Sequence, residues 1–460
     1  MPRAAACLPL LLVAMAARGA AAPVVLEAER ADLVGVEAAS VLPGFSGTGY
    51  VTGFNDDGDS VTFTFTAAGG LVDLRLRVAL PHGTKGWEIA VNGEKASGLF
   101  ILRGDGFSDQ SAGLFLLRAG ENTVTVEKGW GWFFLDAIAL YPGRAHPPLR
   151  PPDRLADLGA DAAAKGLFGR LLASYGTKTL AGQYGAREIA YTLSVTGREP
   201  AVAGFDFMDA SPSRVARGSD AESVGREALA WARRGGVVTF SWHWNAPRDL
   251  VDLPGGKEWW SGFYTEATTF DLAAALANPE SDGYRLLLSD MDAIAGRLKV
   301  FRDAGIPVLW RPLHEAQGAW FWWGAKGPKP FVRLWRLMFE RYTRLHGLHN
   351  LVWVYTTGMD PGEWYPGDAY VDVVGADIYT DPSATMTGEW EALQSIYGVR
   401  KLIALTETGT VPDPAKTRPF EIWWSWFTVW SGRYIRSVPR TTLRSVYSDP
   451  SILTLDQLPR

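Results

Sequence analysis

Residues 286–315 read LLLSDMDAIAGRLKVFRDAGIPVLWRPLHE, and this stretch contains one copy of a unit that recurs along the chain. Apolar residues recur in it at three- and four-residue spacing, which predicts a helix over Leu286–Ala304. Gly305 stands where a helix-ending glycine is expected. The apolar run Val308–Leu313 then predicts a buried strand, and Glu315 lies just beyond its C-terminal end. The unit is therefore a helix followed by a strand with a carboxylate at its end.

The same alternation of strand and helix extends over residues 153–460. Helical patterns such as Ser223–Arg234 and Phe331–His346 separate the apolar runs. Eight strands are predicted: Thr179–Gln183, Ala201–Phe205, Val237–Trp242, Val308–Leu313, Leu351–Tyr355, Val371–Ala376, Leu402–Thr406 and Trp424–Trp430. Eight such units are typical of a (β/α)8 TIM barrel. An open doubly wound sheet is the alternative, but no glycine-rich phosphate turn follows any of the strands.

The chain before the barrel has a different pattern. Short alternating runs recur between turn residues at Ser60–Phe65, Val72–Val78, Trp87–Val91, Asn122–Val126 and Phe133–Leu140. They predict an all-β sandwich, jelly-roll-like, over residues 24–141. Residues 142–152, PGRAHPPLRPP, contain five prolines and predict an extended, semi-rigid linker between the two domains.

Residues 1–21 have the pattern of a secretory signal peptide. Arg3 precedes the apolar run Ala4–Ala17, and the small residues Gly19–Ala22 follow it. A buried N-terminal helix is the alternative interpretation. The run is too short to span a membrane, and no later segment has 18 uninterrupted apolar residues. We therefore expect a secreted, extracellular protein without a membrane anchor.

Composition excludes several classes of protein. The 460 residues are 47% hydrophobic and 21% charged, with a formal net charge of −5, which argues against a disordered chain and a basic nucleic-acid binder. The single cysteine, Cys7, lies in the predicted signal peptide, which excludes a disulfide or a thiol nucleophile in the mature protein. Of 20 tryptophans, 17 fall between Trp231 and Trp430, and we expect some of them to face a ligand.

The residues after the predicted strands are a test of the barrel, because its active site forms at the carboxyl ends of the strands. Glu315 follows strand 4 and Glu407 follows strand 7, on opposite sides of the mouth. The other ends carry Gln183, Asp206, His243, His314, Asp377, Tyr379 and Trp430. Two converging carboxylates, one protonated and one ionised, are what glycoside hydrolysis needs. Solvated loop carboxylates are the alternative. A zinc protease and a serine hydrolase are disfavoured, since no H-E-x-x-H or G-x-S-x-G occurs.

The motifs at these ends are similar to those of glycoside hydrolase family 26. The similar stretches are Arg311–Glu315, Trp320–Gly324, Ser241–Trp244, Gly204–Asp209, Val373–Tyr379 and Thr406–Gly409. The resemblance implies a secreted retaining endo-β-1,4-mannanase on a (β/α)8 barrel. It implies Glu315 as acid/base, Glu407 as nucleophile and no cofactor for catalysis.

The same resemblance implies supporting roles for other residues. Its histidine before the acid/base is His314, and its tyrosine that binds the nucleophile is Tyr379. Arg311 lies close enough in sequence to balance the carboxylate charges, or to form a structural ion pair, and both are compatible. Substrate contacts are expected from His243, Trp244, Trp320, Asp377 and Trp430. Because neighbouring strand residues point to opposite faces, His314 and Glu315 require a bulge to share the site.

The N-terminal part resembles carbohydrate-binding module family 35. The similar stretches are Leu26–Glu29, Gly47–Val51 and Gly131–Ile138. The resemblance implies a structural calcium ion held by Glu27, Glu29 and Asp136, and a sugar contact by Trp130. Oxygen-only ligands suit calcium, although three solvated strand carboxylates would look the same in sequence.

The expected partner is therefore a polysaccharide, β-mannan or galactomannan, and the expected state is a monomer. Three alternatives stay open, and one of them is an enzyme that acts mainly as a transglycosylase. The same two-glutamate chemistry could act on β-1,3-xylan or mixed-linkage β-glucan, since a few hydroxyl contacts decide between sugars. The chain could also be a non-catalytic polysaccharide-binding protein.

Overall fold

The structure is a computed structural model that describes residues 23–358, 361–380 and 384–459. The predicted signal peptide, residues 1–21, lies outside the described residues. The first domain has nine strands: β1 Val24–Glu27, β2 Asp32–Val34, β3 Glu37–Ala39, β4 Tyr50–Thr52, β5 Ser60–Ala79, β6 Lys85–Val91, β7 Glu94–Phe100, β8 Phe107–Lys128 and β9 Phe134–Pro142. These strands confirm the predicted all-β domain.

The first domain is antiparallel, with strand order β3-β4-β9-β5-β8-β6-β7, and β1 and β2 pair with β9 and β5. Strands β5 and β8 pair along their whole lengths, with a register shift between Leu74 and Arg75. The two runs predicted as separate strands at Ser60–Phe65 and Val72–Val78 are thus one strand. Alternate residues such as Phe63 and Leu76 enter a separate apolar core.

The second domain is a closed barrel of eight parallel strands, as predicted. Its strands are β11 Gly182–Tyr184, β12 Val202–Asp206, β13 Val237–Ser241, β14 Val308–Arg311, β15 Leu351–Thr356, β16 Val373–Ile378, β17 Leu402–Thr408 and β18 Phe427–Val429. Two short strands, β10 Thr179–Leu180 and β19 Ile452–Leu453, pair outside the barrel.

Helices surround the barrel and alternate with its strands. They are α1 Ala162–Ser174, α2 Ala186–Thr196, α3 Pro212–Val215, α4 Ser223–Arg233, α5 Leu272–Ala277, α6 Asp282–Asp303, α7 Pro328–Glu340, α8 Thr387–Tyr397, α9 Pro414–Thr417, α10 Arg433–Ser437 and α11 Arg440–Ser448. Four tryptophans are buried in the core of this domain: Trp231, Trp335, Trp353 and Trp390. None of the helices in the described part of the chain combines the length and hydrophobicity needed to cross a bilayer.

Strand β14 ends two residues earlier than predicted. Pro312 follows Arg311 and has no N–H to donate to a neighbouring strand, which explains the early end. Leu313 and Glu315 then adopt left-handed backbone conformations, with φ of 52° and 53°. The expectation of a bulge at His314 and Glu315 is therefore wrong. Two left-handed residues on either side of His314 bring its side chain and that of Glu315 to the same site.

The β-domain packs directly against the barrel. Strands β7 and β8 contact helix α8, and Leu114 of β8 is buried in the apolar cluster of the barrel. A Cβ on Gly113 would lie 3.3 Å from the Cα of Gly388, so the absence of a side chain permits this approach. From the connecting segment, the Leu149 N–H donates to Gln394 Oε1 at 3.2 Å. The two domains are therefore joined by packing as well as by the chain.

Candidate active site

Arg311 connects two carboxylates at the barrel mouth. It is fully buried at the end of β14, and its Nη1 donates to Asp377 Oδ2 at 2.6 Å. Its Nη2 donates to Glu407 Oε2 and, at 3.2 Å, to the hydroxyl of Tyr184. Burial raises the pKa of Asp377 to about 7 and raises that of Glu407, and the guanidinium opposes both shifts.

Glu407 is held at both of its oxygens. The Tyr379 hydroxyl donates to Oε1, and Arg311 donates to Oε2. A register shift between β16 and β17 leaves Thr406 as an extra residue, so that Glu407 pairs with Asp377. The Thr406 hydroxyl donates to Asp377 Oδ1 at 2.7 Å. The bulge therefore places the glutamate beside the buried ion pair and fixes its orientation.

Glu315 has a different environment. Its carboxyl group is half-buried, and its Oε2 accepts a hydrogen bond of 2.9 Å from Trp320 Nε1. Burial raises the pKa of Glu315, and the negative charge of Glu407 raises it further. A carboxyl group in this setting keeps its proton more readily than one in water, as a general acid requires.

Two histidines lie behind the glutamates. Nε2 of His314 is 3.2 Å from Nε2 of His243. Nδ1 of His243 bonds Asp206 at the end of β12. His314 is held further by Trp323, whose indole N–H donates to the His314 carbonyl oxygen at 2.9 Å.

Aromatic rings form the walls of the site. Trp320 leaves 49% of its surface exposed at the mouth. The Trp430 ring packs 4.7 Å from that of Tyr184 and 5.7 Å from that of His243. Phe321 lies against His243 at 5.3 Å. Exposed aromatic faces beside polar groups suit the apolar C–H faces of sugar rings.

Two residues expected to contact substrate are placed elsewhere. Trp244 is fully buried, stacks on Trp242 and donates its indole N–H to Asp290 Oδ2 at 2.8 Å. The side chain of Asp377 is 3% exposed and is occupied by Arg311 and Thr406. The expectation of a sugar contact is therefore wrong for Trp244, which is core. Asp377 is the ion-pair partner of Arg311.

Several site residues were not singled out from the sequence as candidates. Tyr184 follows Gln183 on β11 and holds Arg311, and the Phe321 ring packs against both histidines. Asp206 appeared only as a strand end. Its position at the carboxyl end of a barrel strand was the available signal.

In the β-domain, the predicted residues occupy two separate places. Trp130 is 69% exposed, and Lys85 Nζ lies 5.4 Å from its ring centroid. Glu27, Glu29 and Asp136 lie around residues 46–48, where each accepts hydrogen bonds from Ser46 or Thr48. Asp136 also binds Arg77 at 2.8 Å.

The arrangement at the barrel mouth can cleave a bond between sugars. Glu315 has the environment of a proton donor, and Glu407 is held so that it can act as a carboxylate. Chemistry of this kind at the carboxyl end of a (β/α)8 barrel defines the class as the glycoside hydrolases.

Comparison with known proteins gives the family. The model of glycosyl hydrolase family 26 matches residues 157–457, and that of carbohydrate binding module family 35 matches residues 24–143. The chain belongs to glycosyl hydrolase family 26 and carries a family 35 module.

Named relatives share both domains. A mannan endo-1,4-beta-mannosidase of Thermothelomyces thermophilus is 42% identical over 436 residues, which cover 94% of this chain and 90% of the relative. Mannan endo-1,4-beta-mannosidase A of Piromyces sp is 31% identical, covering 94% and 72%. The crystal structure of a Podospora anserina GH26-CBM35 beta-(1,4)-mannanase aligns with a TM-score of 0.69 at 41% identity, covering 95% of this chain and 98% of that one.

Proposed function

We propose that the protein is a secreted, retaining endo-β-1,4-mannanase that hydrolyses mannan and galactomannan. The observation that carries the proposal is the pair Glu315 and Glu407, with Arg311 and Tyr379 on the second glutamate. The names of the relatives, which share both domains, support mannan as the substrate.

The proposed reaction has two steps. Glu407 attacks the anomeric carbon while Glu315 gives its proton to the leaving oxygen, and a glycosyl–Glu407 intermediate forms. Glu315 then takes a proton from water, and the water oxygen displaces Glu407 from the same carbon. Arg311 and the Tyr379 hydroxyl stabilise the Glu407 carboxylate before attack and after release.

A product time course tests the substrate. The protein is incubated separately with unbranched mannan, galactomannan, β-1,3-xylan and mixed-linkage β-glucan. A rapid fall in viscosity with short mannooligosaccharides is expected. Release from xylan or glucan alone would keep the chemistry and overturn the substrate. No release by folded protein would favour the binding-protein alternative.

The Glu315→Ala variant tests the acid role. It should lose most activity on mannan but retain more on an aryl glycoside with an acidic leaving group, because that leaving group needs no proton. Equal losses on both substrates would remove Glu315 from the role. Glu188→Ala, in helix α2, is the control for handling and folding.

We also propose that Glu27, Glu29 and Asp136 hold a calcium ion that stabilises the module. Among the described residues, no three or more Asp, Glu, His or Cys side chains lie close enough together to hold a metal ion. The donor chemistry nevertheless fits, because Glu29 Oε2 is buried with no hydrogen-bond partner and Glu27 and Asp136 share Ser46. Chelation of the full-length protein should lower the module's melting temperature. An unchanged transition would refute the site.

The proposal has three further parts. Trp130 binds polysaccharide, the protein is secreted after removal of residues 1–21, and it is a monomer. Exposure of the Trp130 ring supports the first. N-terminal sequencing of the secreted protein and light scattering test the other two. A retained leader or a dimeric mass would contradict them.

A further inference from the structure

Asp206 has more hydrogen bonds than a residue that only ends a strand needs. Its Oδ1 accepts the backbone N–H groups of Met208 at 2.8 Å and His243 at 3.0 Å. Its Oδ2 accepts from the Ser241 hydroxyl at 3.1 Å and bonds Nδ1 of His243. The carboxylate is therefore fixed in place, with one oxygen directed at the imidazole.

The contact between His243 and His314 constrains their protons. The two Nε2 atoms are 3.2 Å apart, so one of them carries a proton and the other accepts it. Burial and the nearby positive charges hold the pKa of His314 well below its usual value, so His314 is neutral. Asp206 counters the burial of His243 and raises its pKa. When His243 is protonated on both nitrogens, its Nε2–H is the donor to His314.

Charged groups surround His243 on several elements. Asp206 faces it from β12, Arg311 and Glu315 from β14 and the turn after it, and Glu407 from β17. The rings of Phe263, Phe321 and Trp430 also lie around it, with centroids 5.1, 5.3 and 5.7 Å away. These rings exclude water from the imidazole, so its charge acts on the glutamates with little screening.

We propose that Asp206 is a positioning residue of the catalytic centre. It keeps His243 as a cation beside the two glutamates, and the second N–H of that cation holds His314 in one tautomer. The proposal rests on the proposed roles of Glu315 and Glu407. The cation favours ionised Glu407 and limits the rise in the pKa of Glu315, so it sets the pH range of activity.

The Asp206→Asn variant separates charge from structure. The asparagine oxygen can still accept the backbone N–H groups, and its amide can donate to Nδ1 of a neutral His243, which keeps Nε2–H for His314. Loss of the cation raises the pKa of both glutamates. Both limbs of the pH profile of kcat/KM should therefore move upward, by about one pH unit.

Asp209→Asn is the matched control. Asp209 lies three residues further on and pairs with Arg214 at 2.7 Å. This variant should leave both limbs unchanged. A purely structural role of Asp206 would lower activity at every pH without moving the limbs, and that result would overturn the proposal.

Nitrogen-15 NMR of the wild-type protein tests the charge without relying on activity. The chain has six histidines, and His243→Gln identifies the signals of His243. Both ring nitrogens of His243 should be protonated at the pH of maximum activity. A neutral His243 would overturn the proposal even if the glutamates act as proposed. A cationic His243 together with an active Glu315→Ala variant would overturn the glutamate roles and leave only the charge of His243 established.

Discussion

Removal of the Tyr379 hydroxyl should weaken the proposed nucleophile, Glu407, in a measurable way. The hydroxyl donates to Glu407 Oε1, while Arg311 donates to Oε2. Tyr379→Phe removes one of these two donors and leaves the ring in place. The change therefore isolates a single hydrogen bond to a charged group.

The size of the effect follows from the strength of that bond. A hydrogen bond to a charged group is worth about 1.5–3 kcal/mol, which corresponds to about a 10- to 150-fold change in rate. Tyr379 is 43% exposed, so water can take the place of the hydroxyl, and the lower end is expected. The predicted loss in kcat/KM is about 10-fold.

The same bond affects the pH dependence. Burial raises the pKa of Glu407, and the Tyr379 hydroxyl opposes that shift. Without the hydroxyl the pKa rises further, by about one unit for 1.4 kcal/mol. Because the proposed attack requires ionised Glu407, activity should be lost as pH falls through this pKa. The acid limb should therefore move to higher pH.

The assay is the initial rate of reducing-sugar release from unbranched mannan between pH 4 and 9. Tyr434→Phe is the matched control, because its ring lies 5.0 Å from that of Tyr379. A Tyr379→Phe profile with an unmoved acid limb would refute the reasoning, whatever the loss in rate. An equal shift of the acid limb in Tyr434→Phe would mean that the effect comes from packing around the two tyrosine rings and not from the hydrogen bond to Glu407.

Three further outcomes are expected. Arg311→Met leaves the buried carboxylates of Asp377 and Glu407 without their cation, so the free energy of unfolding should fall by about 3–5 kcal/mol and activity should be lost; an unchanged melting temperature would contradict this. Burial raises the pKa of Asp290 to about 7, so the folded state loses stability as pH rises from about 4 to 7. Asp290→Asn should therefore be more stable than wild type by about 1–4 kcal/mol at pH 8 in urea unfolding, with the difference closing toward pH 4. Trp130→Ala should release the protein from insoluble mannan in pull-down assays while kcat/KM on short oligosaccharides stays unchanged, and equal losses in both would place Trp130 in another role.

Much of the barrel was predictable because its strands are buried runs with a regular spacing. The positions after strands 4 and 7 then gave Glu315 and Glu407, since topology alone brings those ends to one face. The local pattern also predicted helix α6 closely, with its C-terminal end at Asp303 and Gly305 just beyond.

The rest depends on contacts that no local pattern records. Trp244 and Trp320 both follow a barrel strand, so the sequence does not distinguish them. Trp244 is buried and bonds Asp290 of helix α6, whereas Trp320 is exposed on a loop. The contact between His243 and His314 joins residues 71 positions apart. The left-handed backbone at Leu313 could not be predicted, because a left-handed conformation is usually signalled by glycine and this position is leucine.

The packing of the module on helix α8 also affects where the module lies relative to the barrel mouth. The Gly113–Gly388 approach and the burial of Leu114 in the apolar cluster of the barrel hold the module against helix α8, and the Trp130 ring stays exposed. If the module binds a solid polysaccharide as proposed, that contact would set the height and tilt of the cleft above the surface. Such an enzyme cuts the chains within reach of one attachment point. It must detach before it can work on another patch.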